Sequence, residues 1–142
     1  MSFYKSMQGL VFILLSLAIL GAWMLALAGG SVLLPYRIDD LGLTDNIQNF
    51  AALIAVGWLA QAIATGIFGI LTDAEKRSRG SRTVLLWVAI ASLPLAVWVL
   101  DSATDWFWLT IGWVLVQGTA GALTAICVAI AGDFISDELI GV

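Results

Sequence analysis

Four long runs of apolar residues, separated by short polar breaks, dominate the pattern along the chain. They cover residues 9–34, 47–72, 83–100 and 106–132. A helix rises about 1.5 Å per residue and the hydrocarbon core of a bilayer is about 30 Å thick, so each run is long enough to cross. The pattern predicts an all-α membrane protein in which four transmembrane helices form one domain, residues 1–142.

The composition favours the bilayer over a soluble fold. The chain is 61% hydrophobic and 11% charged, with a mean hydropathy of +1.02, whereas soluble domains are about 45–50% apolar and about 25% charged. Lys5, the following apolar stretch and Ala26-Leu27-Ala28 are also typical of a signal peptide. That stretch exceeds the roughly 7–15 residues of a signal-peptide core, so we interpret it as a helix of the mature protein.

The basic residues predict the direction of each helix, because short cytoplasmic loops carry an excess of lysine and arginine. One side of the membrane receives only Arg37. The other receives the remaining five: Lys5, Lys76, Arg77, Arg79 and Arg82. We therefore expect a multi-pass protein of the cell membrane with both termini and the loop 73–82 in the cytoplasm.

Most enzyme chemistry is excluded by the residues that the chain lacks. It contains no histidine, its single cysteine is Cys127, and no ionisable residue lies in the middle of an apolar run. A nucleophile with a base, a set of metal ligands and an intrachain disulfide are therefore not available. We expect no enzyme activity, no metal or other cofactor, and no nucleic-acid partner.

The charges around loop 73–82 predict an ion cluster. Asp73 ends a helix that runs inward, where the helix dipole is negative, and Arg82 opens a helix that runs outward, where it is positive. Each charge therefore needs a partner, and Asp133 closes the fourth helix at the same level. We predict that Asp73, Asp133 and either Arg79 or Arg82 lie together. Lys76 and Arg77 are interpreted as topology anchors only.

In and just before this loop, a glycine and an aspartate precede a second glycine that is flanked by arginines: Gly69, Asp73, Arg79, Gly80 and Arg82. The order of these residues resembles that of the loop between the second and third helices in the major facilitator superfamily. The step from Asp73 to Gly80 is most similar to the sugar-cation symporters of the glycoside-pentoside-hexuronide type, although Ala74 and Ser81 stand where that family has arginine. The segment 116–122, followed by Asp133 and the stretch 136–138, also resembles the superfamily, with Val114 in place of an arginine.

The resemblance implies a secondary transporter made of two six-helix halves, each built from inverted three-helix repeats. The chain would supply its first four helices, so we expect a partial N-terminal segment that is not competent for transport alone. The implied partners are the lipid bilayer, a small solute such as a sugar, a coupling cation, and the remaining helices or a second copy. By the same resemblance, Trp23 and Gln117 would contact the solute, and the loop motif with Asp133 would form a conformational gate.

A second function class stays open. Small residues let membrane helices approach closely, and they form two seams: Gly57, Gly66 and Gly69 in the second run, and Gly118, Gly121, Ala122 and Ala125 in the fourth. These seams are also consistent with a small four-helix membrane protein that acts as an interaction or assembly subunit.

Overall fold

The computed structural model describes residues 2–43 and 47–134, and this part of the chain is helical without any strand. Helix α1 spans Ser2–Ala28, a π-helical turn spans Gly29–Leu33 and α2 spans Leu34–Asp40. They are followed by α3 (Ile47–Arg79), α4 (Thr83–Asp101) and α5 (Trp106–Phe134). The side chain of Lys5, and the stretch 136–138, lie outside what is described.

Within the described ranges, four helical segments are long and apolar enough to cross a membrane. The first span combines α1, the π turn and α2, and the other three are α3, α4 and α5. Their large apolar side chains are widely exposed, as in Ile70 at 71%, Phe107 at 67% and Leu20 at 58%. Such continuous apolar surface is expected to face lipid. The chain is a multi-pass membrane protein, which confirms the predicted fold class of four transmembrane helices.

The first span is longer than predicted: it ends at Asp40 and not at residue 34. Pro35 does not stop the helix, which continues from the π turn through Leu34 into α2 although Pro35 has no N–H to donate. The end comes at Gly42, whose φ of 65° is readily adopted only by glycine. The N–H of Leu43 then donates to the carbonyl of Ile38, as in a Schellman motif.

The second span is also longer, so the predicted loop 73–82 is wrong in its extent. Helix α3 continues to Arg79 and leaves only Gly80–Arg82 as the turn to α4. Residues 74–77 are good helix formers, and at the aqueous end of a span polar residues can extend a helix freely. Gly80 ends it with a φ of 71°, and its N–H donates to the carbonyl of Lys76.

Helix α5 is the centre of the bundle. Half of the residues in its most apolar stretch are buried, compared with 11–17% in the other three spans. The reason is that the first span, α3 and α4 all pack against α5. One core cluster contains Leu34, Leu53, Leu100, Leu109 and Trp113. A second consists mainly of alanines on the first span, α4 and α5, with Leu123 and Ile126.

The two predicted glycine seams are confirmed only in part. A β-carbon added to Gly121 would lie 2.5 Å from the backbone oxygen of Gln61, and one added to Gly57 would meet Trp113. These two glycines therefore allow α3 and α5 to approach closely. Around Gly66, Gly69 and Gly118, no atom of the described residues outside the adjoining turns of the same helix lies within 4 Å of an added β-carbon.

Candidate functional site

The ends of α3 and α5 and the start of α4 meet around one guanidinium group. Arg82 Nη1 lies 2.7 Å from Asp73 Oδ1, and Arg82 Nε lies 2.9 Å from Asp133 Oδ2. A third, longer bond joins Arg82 Nη2 to Asp133 Oδ1 at 3.3 Å. The predicted clustering is confirmed, with Arg82 rather than Arg79 as the shared cation. We call Asp73, Lys76, Arg82 and Asp133 the Arg82 cluster.

Helix geometry explains why this arrangement is favourable. Asp133 lies in the last turn of α5, so the negative end of that helix and the two carboxylates attract the same cation. Asp73 lies six residues before the end of α3 and contributes through its carboxylate. The side chain of Arg82 is only 9% exposed, compared with 29% for Asp133 and 63% for Asp73. The hydrogen bond to Asp133 raises the pKa of the Arg82 guanidinium, and partial burial opposes this more weakly. Arg82 is therefore held in its charged form.

Lys76 also belongs to the cluster, so its interpretation as a topology anchor only is wrong. Its Nζ forms an ion pair with Asp133 Oδ1. Because α3 does not end at residue 72, Lys76 lies one helical turn beyond Asp73 and on the same side of the helix. Asp133 is thus paired with two cations that come from opposite sides of the turn between α3 and α4.

Glu75 is a further member of this region that the sequence analysis did not identify. Its Oε1 accepts the N–H of Val84 at 3.0 Å and its Oε2 accepts the N–H of Leu85 at 3.3 Å. These are free donors of the first turn of α4, and the positive end of the helix favours the carboxylate. Glu75 thereby fixes α4 to α3, and it is 91% buried, as its 9% exposure shows.

The two motif glycines have different surroundings. Gly80 provides the left-handed residue that ends α3 and lets the chain turn to Arg82 within three residues. Gly69 lies one turn before Asp73, with open space where a side chain would be. Of these two positions, Gly80 is therefore the one at which the local structure requires glycine.

A second polar site lies at the middle of the membrane, where α3 packs against α5. The Thr65 hydroxyl donates to the carbonyl of Gln61 in its own helix at 2.8 Å, and its oxygen lies 3.3 Å from the carbonyl oxygen of Gly121 on α5. Gly57 faces Trp113 at the other end of this contact. Gln117 lies one helical turn from both Trp113 and Gly121, on the same face of α5. Its side chain is completely buried, and its amide atoms have no hydrogen-bond partner among the described residues.

Because its side chain is buried within the bundle, the Gln117 amide does not face lipid. It also has no accessible surface, so a solute could reach it only after α5 moves away from its neighbours. Gln61 Oε1 and Trp113 Nε1 likewise lack a partner among the described residues. The interface between α3 and α5 therefore contains three polar groups that would gain hydrogen bonds if a polar molecule entered.

Trp23 has different surroundings from Gln117. Its ring packs on that of Trp58, with centroids 6.0 Å apart and an angle of 39° between the planes. The two residues are 36% and 38% exposed. Of the two candidate solute contacts, Trp23 is thus accessible and Gln117 enclosed, and their role in solute binding stays a prediction.

Trp113 and the π turn were not identified by the sequence analysis. The Trp113 ring is fully buried against Gly57 on one side and against Gly29 and Gly30 of the π turn on the other. π turns inside helices often occur at functional sites. The signal in the sequence was the pair Gly29-Gly30 inside an apolar run, six residues before Pro35.

No group of three or more potential metal ligands among histidine, cysteine, aspartate and glutamate occurs in the described part of the chain. Comparisons with protein-family models, with curated proteins and with solved structures found no match.

Proposed function

We propose that this chain forms the first four helices of a secondary transporter of the major facilitator type, with both termini cytoplasmic, and that it does not transport a solute alone. The observation that carries the proposal is the Arg82 cluster. Its guanidinium connects the ends of α3 and α5 with the start of α4 through three hydrogen bonds to two carboxylates.

The cluster has the properties required of a gate between two conformations. Its ion pairs lie at the aqueous end of the bundle, where Asp73 is 63% and Asp133 29% exposed, and hydrogen bonds to charged groups of this kind contribute only about 1–3 kcal/mol. They can therefore break and form again without unfolding the helices, while together they favour one arrangement of the helix ends. Rocking of helix bundles around a central site is how transporters of this kind alternate.

The middle of the membrane is the proposed solute site. Gln117 and Gln61 offer amide groups that have unsatisfied hydrogen-bonding capacity, and Trp23 with Trp58 offers an accessible aromatic surface close to α3. Such a combination suits a small polar solute such as a sugar, with a coupling cation. Movement of α5 relative to α3 would expose Gln117, so gating and binding would be linked.

The proposal is tested by uptake into proteoliposomes made with the complete product of the gene that encodes this chain. A panel of labelled sugars would be supplied with sodium or proton gradients. Uptake of one solute that is driven by one gradient is the expected result. Asp133→Asn should reduce that uptake at least tenfold, whereas Arg79→Gln, which removes a charge outside the cluster, should leave it within about twofold.

An interaction or assembly subunit is the second candidate function, and the open glycines favour it. Gly66 and Gly69 lie on one side of α3 with free space around them, which would allow another transmembrane helix to approach. If the chain alone forms stable oligomers in detergent, and Gly66→Leu together with Gly69→Leu disrupts them, while no solute is transported, this candidate would be preferred.

A further inference from the structure

A groove separates the first span from α4 at the end of the bundle opposite the Arg82 cluster. Its volume is about 770 Å³, within the range of about 300–1,000 Å³ that is usual for sites that bind small molecules. The body of the groove is apolar and is formed by residues from both sides: Leu25, Leu33, Leu93, Pro94, Val97 and Leu100. Three charged residues lie at its mouth, namely Arg37, Asp40 and Asp101.

The groove extends along the membrane normal from apolar to polar surroundings. From Leu93 to Asp101 it follows α4 for about 12 Å at 1.5 Å per residue. Tyr36 and Trp98 flank the mouth and are 67% and 66% exposed, as is typical of aromatic residues at the level of lipid headgroups. Leu33, 43% exposed, lies at the open side. An acyl chain can therefore enter from the bilayer while its headgroup stays at the mouth.

The charges at the mouth favour a cation. Arg37 is the only basic residue among those that line the groove, and it is already engaged: its Nη1 pairs with Asp40 at 2.6 Å, and its Nη2 donates to the carbonyls of Asp101 and Ala103. The carboxylate of Asp101 has no ion-pair partner among the described residues. One cation thus faces two carboxylates, which leaves one negative charge in excess.

The helix dipoles increase this excess. Asp40 is the last residue of α2 and Asp101 is the last residue of α4, so both carboxylates lie at negative helix ends, where their own helices disfavour them. A cation placed between them would be attracted by two carboxylates and two helix ends. A primary ammonium group suits this position because it is compact and has three N–H donors.

We propose that this groove binds an aminophospholipid, with one acyl chain along the apolar body and the primary amine of an ethanolamine headgroup against Asp101 and Asp40. Phosphatidylcholine has a cation that cannot donate hydrogen bonds, and phosphatidylglycerol has a net negative charge that the mouth repels. The inference does not depend on the proposed transport function.

Lipid retention tests the proposal. The chain would be reconstituted in nanodiscs with equal parts of phosphatidylethanolamine, phosphatidylcholine and phosphatidylglycerol that have identical acyl chains, then extracted with mild detergent and examined by native mass spectrometry. Phosphatidylethanolamine should be retained about two- to fivefold over phosphatidylcholine, the size expected for an exposed ion pair. Asp101→Asn should abolish the preference.

The matched control is Asp39→Asn, which removes the same charge from an exposed neighbouring position that does not line the groove. It should keep the preference. Equal retention of the two zwitterionic lipids by the unchanged protein, or an equal loss of preference in both variants, would overturn the proposal. So would efficient disulfide cross-linking of two copies through Leu33→Cys in a Cys127→Ala background, because the groove would then be covered by a second chain.

Discussion

A β-carbon placed on Gly57 would lie 2.1 Å from the indole nitrogen of Trp113. The ring cannot retreat, since its other edge is in contact with Gly29 and Gly30 of the π turn. Trp113 therefore fills the junction of the first span, α3 and α5, and three glycines create the space for it. This contact fixes how closely α3 and α5 approach at the end of the seam that contains Gln117.

Gly57→Ala should therefore destabilise the bundle. Overpacking typically costs about 1–3 kcal/mol, which outweighs the gain of about 1 kcal/mol when alanine replaces glycine inside a helix. Gly66→Ala is the control, because the same substitution in the same helix meets no atom within 4 Å. In thermal unfolding in detergent, Gly57→Ala should melt lower than the unchanged protein and Gly66→Ala should not. Equal melting temperatures for the two variants would contradict this account of the junction.

Glu75 should stabilise the connection between α3 and α4. Glu75→Ala removes the acceptor of two backbone N–H groups of α4, and the loss of a helix cap costs about 0.5–2 kcal/mol. Glu75→Gln retains one oxygen acceptor and should fall between the unchanged protein and Glu75→Ala. Thermal unfolding in detergent measures the order of the three proteins. If Glu75→Ala melts with the unchanged protein, the carboxylate does not cap α4 in the membrane.

The four membrane spans could be predicted from the sequence because a bilayer requires long apolar runs, and each run corresponds to one span. The helix ends did not follow, since hydropathy detects where a helix leaves the hydrocarbon and not where it stops. Helix α3 passes residue 72 by seven residues and ends only at Gly80. The pairing of Arg82 with Asp133 could be predicted because helix dipoles disfavour both charges at their own helix ends. The same argument for Asp73 assumed a helix end at residue 72, which α3 passes, so its pairing with Arg82 was predicted from a wrong premise.

The contacts of Glu75, Lys76 and Trp113 could not be predicted from the sequence. The first two depend on the helical continuation of α3 through the residues that were expected to form a loop. The contacts of Trp113 depend on how closely three helices approach. Glycines allow a close approach, but their positions in the sequence do not show which helices will meet. The burial of Gln117 could not be predicted for the same reason. Which face of the central helix is buried depends on how the neighbouring helices are arranged around it.

Labelling of single cysteines tests the predicted topology. In a Cys127→Ala background, Ser78→Cys lies beside the Arg82 cluster and Ser102→Cys lies at the opposite end of the bundle, in the turn after α4. Since five of six basic residues are expected on the cytoplasmic side, an impermeant maleimide should label Ser102→Cys in intact cells and should label Ser78→Cys only after permeabilisation. The reverse pattern would show that the chain is inserted in the opposite direction.

The two arginines that precede α4 should differ in their effect on stability. Arg82 is 9% exposed and contacts two carboxylates, whereas no ion pair connects Arg79 to the described acidic residues. Arg82→Gln removes the cation that Asp73 and Asp133 share and leaves Lys76 as the remaining cation, so we expect the free energy of unfolding to fall by about 1–3 kcal/mol, as for a partly buried charged hydrogen bond. Arg79→Gln should change the unfolding free energy by less than about 0.5 kcal/mol, as is usual for a surface substitution. The loss of stability in Asp133→Asn should lie between those of the two arginine variants, because Arg82 keeps Asp73 as a partner.

Thermal unfolding in detergent, without chemical denaturant and at low and high salt, measures the stability of the three variants. Added salt should reduce the difference in stability between Arg82→Gln and the unchanged protein. Equal stability of the two arginine variants at low salt would mean that the cluster does not hold the helix ends together.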